Sequence, residues 1–322
     1  MRRAGLALVL AYVAAGTAPA VQAGGTNVAV AATAGHVWVT TGNGVVELDA
    51  RSGRVERRVP APYPFFSLDL GLSDGNVWMS SVEDAFTAGA VTRIPFGRGR
   101  VTRPLVLPSR PVYSLAVGSG TTWALVGPWG ATELAAIDQA TRRTTFHRIE
   151  GVGWIAADDT GETPGLFGVD AGMGRAIRIN PDGTRAWTAR TGQIESPAVV
   201  GLGSVWASSR EALYRLDPRT GHVQSTIRIA SAAATLAVGG GRVWMIALTD
   251  PSAGGRYALL AIDPSRERVV GRAPLQGPVG GMSFGDGALW IGRPSAAVDL
   301  LRVDPVTLKA MLFATKLETA VP

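Results

Sequence analysis

Hydrophobic and polar positions along this chain fall into short runs bounded by turn-forming residues. In the first unit, apolar or alternating stretches cover 28–32, 37–40, 45–48 and 55–59, a length and spacing that predict four strands rather than helices. A phrase then returns: glycine followed by an apolar pair around an aromatic. Its copies centre on Trp38, Trp78, Trp123, Phe167, Trp206, Trp244 and Trp290, with steps of 40, 45, 44, 39, 38 and 46 residues. A second phrase keeps phase with the first, at Glu47-Leu48-Asp49, Arg93-Ile94-Pro95, Ala136-Ile137-Asp138, Arg178-Ile179-Asn180, Arg215-Leu216-Asp217, Ala261-Ile262-Asp263 and Arg302-Val303-Asp304. The chain turns after it, most plainly in Asp217-Pro218-Arg219-Thr220-Gly221, where proline presets φ, the Asp side chain can bond the backbone ahead and glycine accepts a positive φ. The recurring acidic residue is therefore read as a turn residue.

Each unit holds four strands, A to D in chain order, joined by hairpins and so antiparallel. One such sheet has two faces to cover and too few residues to form a core, so it must stack on neighbours. Seven sheets arranged radially meet that need, with the strand B aromatic filling the gap between adjacent sheets. The expected fold is all-β, a seven-bladed β-propeller of four-stranded antiparallel blades, one domain over residues 24–322. Composition agrees: 41 of 322 residues are glycine, and cysteine is absent, which removes disulfides, thiolate metal sites and a Cys nucleophile.

The N-terminus reads as a separate device. Met1-Arg2-Arg3 is a positive start, 4–15 an apolar stretch, and 17–23 are small residues suited to cleavage after Ala20 or Ala23. Residues 1–23 are thus expected to be a signal peptide, and the mature protein secreted, periplasmic or otherwise extracytoplasmic, without a membrane span; a retained anchor is the alternative. The formal net charge is +6, and the basic residues are arginine apart from Lys309 and Lys316. They are scattered over nearly every unit, with Arg93, Arg178, Arg215 and Arg302 at one equivalent strand C position, which suits a solvated or blade-edge role. Nucleic-acid binding would ask for one basic stripe with stacking aromatics, and is not expected.

Candidate chemistry is sparse. Gly281-Met282-Ser283-Phe284-Gly285 has the pattern of a nucleophile elbow, but it falls in strand A of the seventh unit and leads to a hairpin, not a helix. Gly201-Leu202-Gly203 and Gly118-Ser119-Gly120 likewise run into the Trp strand, so no dinucleotide loop is assigned. His36 and His222 are placed in hairpins and His147 on an outer strand, each as a surface residue. The acidic segment Asp158-Asp159-Thr160-Gly161-Glu162 offers carboxylates to calcium but lacks the spacing of a cation loop. The face carrying the B–C and D–A loops is where the units differ most. There the candidate ligand-binding residues are Tyr63 and Phe65 beside Phe66, then Arg110, Tyr113, Trp129, Glu195, Arg210, Asp250 and Arg293. Aromatics and arginines at a channel mouth suit an anionic or polar organic ligand, a peptide or a protein.

Segments such as 213–223, with Leu213-Tyr214-Arg215-Leu216-Asp217-Pro218, and 236–244, with Gly239-Gly240-Gly241-Arg242-Val243-Trp244, resemble the repeat of the YVTN and streptogramin (virginiamycin B) lyase-like propeller superfamily. The matching residues are those that build blades. In the lyase the resemblance implies a magnesium ion and a catalytic histidine near the channel, opening the ester of a cyclic peptide antibiotic by elimination. No histidine here is expected at such a loop, so no catalytic residue, metal ligand or cofactor is assigned. Two classes follow. One is a secreted, non-catalytic binding or interaction scaffold. The alternative is a lyase or lactonase using a Mg or Ca ion, with Asp69, Glu195 and Asp250 as candidate carboxylates.

Overall fold

The structure is a computed structural model. It describes residues 28–317 apart from 34, 63–64, 74, 84, 128–131, 159–164, 171, 195, 230, 251–255 and 296, and apart from the side chains of Phe66 and Ala232. The leader assigned to residues 1–23, Tyr63, Trp129, Glu195 and all of the 158–162 acidic segment but Asp158 lie outside the described residues.

Within them the chain forms seven four-stranded antiparallel sheets, each built from four consecutive strands, and no helix. In blade 1 the strands are Val30–Thr33, His36–Thr41, Gly44–Asp49 and Val55–Pro60, close to the four runs read from the sequence, and blades 2 to 7 follow over 65–107, 112–148, 154–190, 199–228, 232–275 and 282–314. The inner strands of successive blades touch one another around the ring, and strand A of blade 7 touches strand A of blade 1. The result is a closed seven-bladed β-propeller.

Burial explains the patterning. Strand B of blade 5, Ser204–Ser208, is buried at every position because both its faces meet other blades. Strand D of the same blade, Val223–Arg228, alternates because its outward face meets water. Each gap between blades is filled by the strand B aromatic of one blade against the apolar face of the next. Trp206 packs with Leu236, Val243 and Met245 of blade 6, Trp244 with Leu289 and Ile291 of blade 7, and Trp290 with Val37, Val39 and Leu48 of blade 1. Trp38, Phe167, Trp206, Trp244 and Trp290 are fully buried. The indole N–H groups of Trp206, Trp244 and Trp290 donate to the carbonyls of Gly201, Gly239 and Gly285 at 3.1, 3.0 and 2.9 Å. These glycines end strand A where the next blade comes closest: a Cβ on Gly239 would lie 2.3 Å from the Phe284 ring, and one on Gly285 2.5 Å from the Ala32 backbone.

Among the described residues no strand is exchanged between the first and last blades. The seam between blades 7 and 1 is held instead by Gly281 N–H to Val28 C=O at 2.5 Å, by Ala32 N–H to Ser283 Oγ at 3.2 Å, and by the C-terminal tail. Leu317 is buried among the blade 1 and blade 7 core residues, and its carbonyl accepts from the Arg58 guanidinium on strand D of blade 1. The Ser283 of the apparent nucleophile elbow is thus an inter-blade hydrogen-bond acceptor.

Candidate functional site

The hairpins behave as the repeat predicts. In six of the seven C–D hairpins an Asp accepts from the backbone ahead of it, in blade 4 through Asp182 from Thr184 N–H at 2.9 Å and in five others through the Asp of the recurring phrase, as Asp217 Oδ1 does from Arg219 N–H at 2.9 Å and Thr220 N–H at 2.7 Å. Asp49, Asp138, Asp263 and Asp304 do the same. These bonds favour the ionised form: backbone and side-chain donors at Thr220 hold the Asp217 carboxyl below the ordinary range.

Strand A carries the polar groups that line the inner ring. In blades 2, 3 and 6 it has a β-bulge at the same place relative to the blade's Trp, leaving Leu68, Tyr113 and Ala234 as the extra residues. A bulge re-aims the side chains beside it. Asp69 and Ser114 follow the bulges, and each turns toward the next blade. Asp69 Oδ2 accepts from Leu115 N–H at 3.0 Å and its Oδ1 from Leu70 N–H at 2.9 Å; Ser114 Oγ accepts from Ile155 N–H at 3.4 Å. Asp69 thereby serves as a latch between blades 2 and 3. Burial pushes its carboxyl above the usual range, and the two N–H groups oppose that. Burial also raises the Tyr113 hydroxyl.

The other residues expected on the B–C and D–A face are dispersed. Phe65 opens strand A of blade 2 opposite Glu83. Arg110 turns outward over blade 3: its Nε meets Glu133 Oε2 at 2.7 Å and its guanidinium lies 4.2 Å from the centre of the Phe146 ring on the outermost strand. Arg210 is exposed in the B–C turn of blade 5. Asp250 ends strand B of blade 6 opposite Arg256, and Arg293 ends strand B of blade 7 opposite Asp299.

One open cleft of about 710 Å³ lies at the blade 6 end of this face, lined among others by Arg256, Tyr257, Arg272, Gln276 and Gly277 but by neither Asp250 nor Arg293. Arg256 and Arg272 are exposed. Arg293 reaches the cleft's edge, with Nη2 2.7 Å from where a Gly277 Cβ would stand. Its Nε is buried and meets no acceptor. A buried guanidinium N–H without a partner is uncommon.

Two features escaped the sequence reading. The strand C arginines are stacking groups: Arg93, Arg215 and Arg302 lie 6.0, 5.7 and 5.7 Å from the ring centres of Trp78, Trp206 and Trp290. The shared spacing held the signal, since each stands directly opposite its Trp. His147 and His222 lie on an outer strand and in a hairpin as expected, and His36 closes the A–B hairpin opposite Thr33 but is half-buried there rather than a surface residue. It is the first residue of strand B in blade 1, with Nδ1 3.1 Å from Glu47 Oε1 and 3.2 Å from Glu56 Oε2. Among the described residues this is the one group of three histidine or acidic side chains within metal-binding distance of one another.

No family model matches the chain, and no curated protein matches it. Solved structures do. A streptogramin B lyase is similar at a TM-score of 0.65 and 16% identity, over 83% of this chain and 90% of that one. A catalytically inactive variant of virginiamycin B lyase from Staphylococcus aureus, solved with quinupristin, gives 0.66 and 15%, over 84% and 92%. The dihydro-heme d1 dehydrogenase NirN gives 0.57 and 12%, over 88% of this chain and 65% of that one. At these identities the likeness is one of fold, a seven-bladed β-propeller. Proteins of different chemistry share it, so function has to be argued from sites.

Proposed function

We propose that this protein is an extracytoplasmic, non-catalytic propeller scaffold that binds a polar organic anion on the face carrying the B–C and D–A loops. The observation that carries the reading is the blade 6 cleft, where Arg256 and Arg272 stand exposed and the Arg293 guanidinium reaches the edge at Gly277. Its volume falls within the range of small-molecule sites. Guanidinium groups match carboxylate and phosphate in a fork geometry, and Tyr257 and Leu275 supply apolar surface beside them.

Calorimetric titration with a panel of small carboxylates and phosphates tests this. A panel member is expected to bind, and Arg272→Ala and Arg293→Ala are expected to weaken it roughly tenfold or more each, the worth of one charge-assisted hydrogen bond. Arg272 is exposed on an outer strand, so its variant leaves the fold intact. The reading fails if no panel member binds, or if both variants bind as the parent does. Export is checked by the mass of the mature chain from its own host. An intact Met1-Arg2-Arg3 on released protein would refute cleavage.

A further inference from the structure

The seven blades act as internal controls for one another, and blade 1 departs from the rest at one spot. Opposite the strand B aromatic, strand C carries Arg93, Ala136, Arg178, Arg215, Ala261 and Arg302 in blades 2 to 7, but Glu47 in blade 1. Two residues before the aromatic, blades 2 and 5 place Asn76 and Ser204, which accept from Arg93 Nε and Arg215 Nε at 2.8 Å; blade 1 places His36. Beside them, a bulge in strand D leaves one extra residue in blades 1, 4, 5 and 6, which is Ala186, Gln224 and Val270 in the last three and Glu56 in blade 1. Three substitutions at three contacting positions thus turn an arginine-and-acceptor pair into one imidazole facing two carboxylates.

The local geometry does not resolve this group as an ordinary ion pair. Nδ1 of His36 is buried and carries at most one hydrogen, yet two carboxylate oxygens stand at 3.1 and 3.2 Å and neither lies in line for a hydrogen bond. Glu47 is 2% exposed, and its Oε2 has no partner at all. Arg57, opposite Glu47 on strand D, gives its guanidinium instead to the carbonyls of Pro95, Gly97 and Gly99. The imidazole is held in place by stacking on Trp38 and Phe96, with ring centres 5.5 and 6.4 Å away. The Glu47 oxygen that faces His36 Nδ1 is Oε1, which accepts a long hydrogen bond from Gly97 N–H at 3.4 Å, and the other oxygen of Glu56 meets Arg54 at 3.4 Å. A buried ring nitrogen with no hydrogen bond beside two carboxylate oxygens is a donor set suited to a cation.

We infer that His36, Glu47 and Glu56 form a binding site for one divalent transition-metal ion of the zinc type. The three ligand atoms lie within 4.8 Å of one another. Ligand–ligand separations near 3.1 Å suit metal–ligand bonds of about 2.0 to 2.2 Å. One imidazole with two carboxylates and no thiolate favours Zn²⁺, Co²⁺ or Mn²⁺ over soft ions, and three ligands are too few for calcium. The side chains of His36 and Glu56 are 31% and 26% exposed, so the remaining coordination positions open to solvent. The site lies on blade 1 near the A–B and C–D hairpins, remote from the cleft, and does not depend on it.

The test is titration of tag-free, chelator-washed protein with Zn²⁺ and, separately, Co²⁺. One ion per chain is expected, with visible Co²⁺ absorption bands and competition between the two ions. Glu56→Gln and His36→Ala should each weaken binding about tenfold or more, while His222→Ala leaves it unchanged. Glu56 is on an outer strand, so a parental melting temperature in Glu56→Gln separates ligand loss from unfolding. Absence of stoichiometric Zn²⁺ or Co²⁺ binding overturns the inference, as does equal affinity in Glu56→Gln and the parent, or equal loss in His222→Ala.

Discussion

Trp206→Ala tests the packing scheme on which the ring depends. The side chain is fully buried between blades 5 and 6, against Leu236, Val243, Met245, Leu260 and Ile262. Its truncation leaves a cavity that β-strands of two adjoining sheets cannot collapse into, because each is fixed by its own ladder. Such losses cost about 3 to 5 kcal/mol for Phe or Trp to Ala. Two smaller effects act in the same direction: the Gly201 carbonyl loses its indole donor at 3.1 Å, and the Arg215 guanidinium loses the ring 5.7 Å below it. For a chain of this size about 2 °C accompanies each kcal/mol, so the melting temperature should fall by roughly 6 to 10 °C. Trp206→Phe keeps most of the volume and should lose only about 1 kcal/mol for the hydrogen bond. Differential scanning calorimetry with parallel urea titration measures both. An unchanged melting temperature in Trp206→Ala, or equal damage from both variants, would show that the aromatic is not the filler between blades.

Three further outcomes are expected. Gly239→Ala should destabilise by about 1 to 3 kcal/mol through overpacking, since the new Cβ meets the Phe284 ring at 2.3 Å; neutral behaviour in urea titration would refute the close approach of blades 6 and 7. Asp69, whose carboxyl is raised by burial, favours its protonated form in the folded state. Its contribution is therefore complete below about pH 4, its unfolded value, and is lost as pH rises through the raised folded value. Asp69→Asn should abolish that slope in the variant, so the stability difference between parent and variant should change with pH across this window, and a flat difference would count against it. Asp217 runs the opposite way, because donors at Thr220 lower it. Its contribution is present above about pH 4 and is lost as pH falls through the folded value, so Asp217→Asn should narrow the acid loss measured by the same titration.

The fold was legible because each blade repeats the same physical problem. A thin sheet needs a large buried group on strand B and a tight turn after strand C, and both leave residues, Trp and Asp, that recur in phase. The cleft residues could not be read this way. Asp250 and Arg293 were identifiable as non-repeating loop positions, yet only the path of the chain brings Arg293 of blade 7 beside Gly277 at the edge of the blade 6 cleft. Arg110 shows the converse. Its position before strand A of blade 3 suggested the channel, but Glu133 and Phe146 draw it outward, and those partners stand much further along the chain, on strands C and D. Asp69 looked like a spare carboxylate, and its role as a latch depends on a bulge with no sequence mark of its own.

The repeat also supplies a way to find sites without homologues. At positions that build every blade, packing and turn geometry decide the residue, so agreement among blades carries no functional information. A departure is informative when it is chemically coordinated, because a single drifted residue in a packed ring leaves a buried polar atom unpaired and costs about 1 to 3 kcal/mol. Blade 1 has changed three contacting positions together, from arginine and its acceptor to histidine and two glutamates, and still leaves Glu47 Oε2 and His36 Nδ1 without partners. Drift toward stability would have restored an arginine or an apolar residue opposite Trp38, as the six other blades have done. Retaining a buried, underserved acid there is intelligible if a cation completes it, and the Glu47→Arg variant offers the sharpest separation: it should restore the stacking seen in blades 2, 5 and 7, maintain or raise stability without metal, and abolish Zn²⁺ binding. Zn²⁺ affinity unchanged in that variant would leave the departure of blade 1 without a chemical reason.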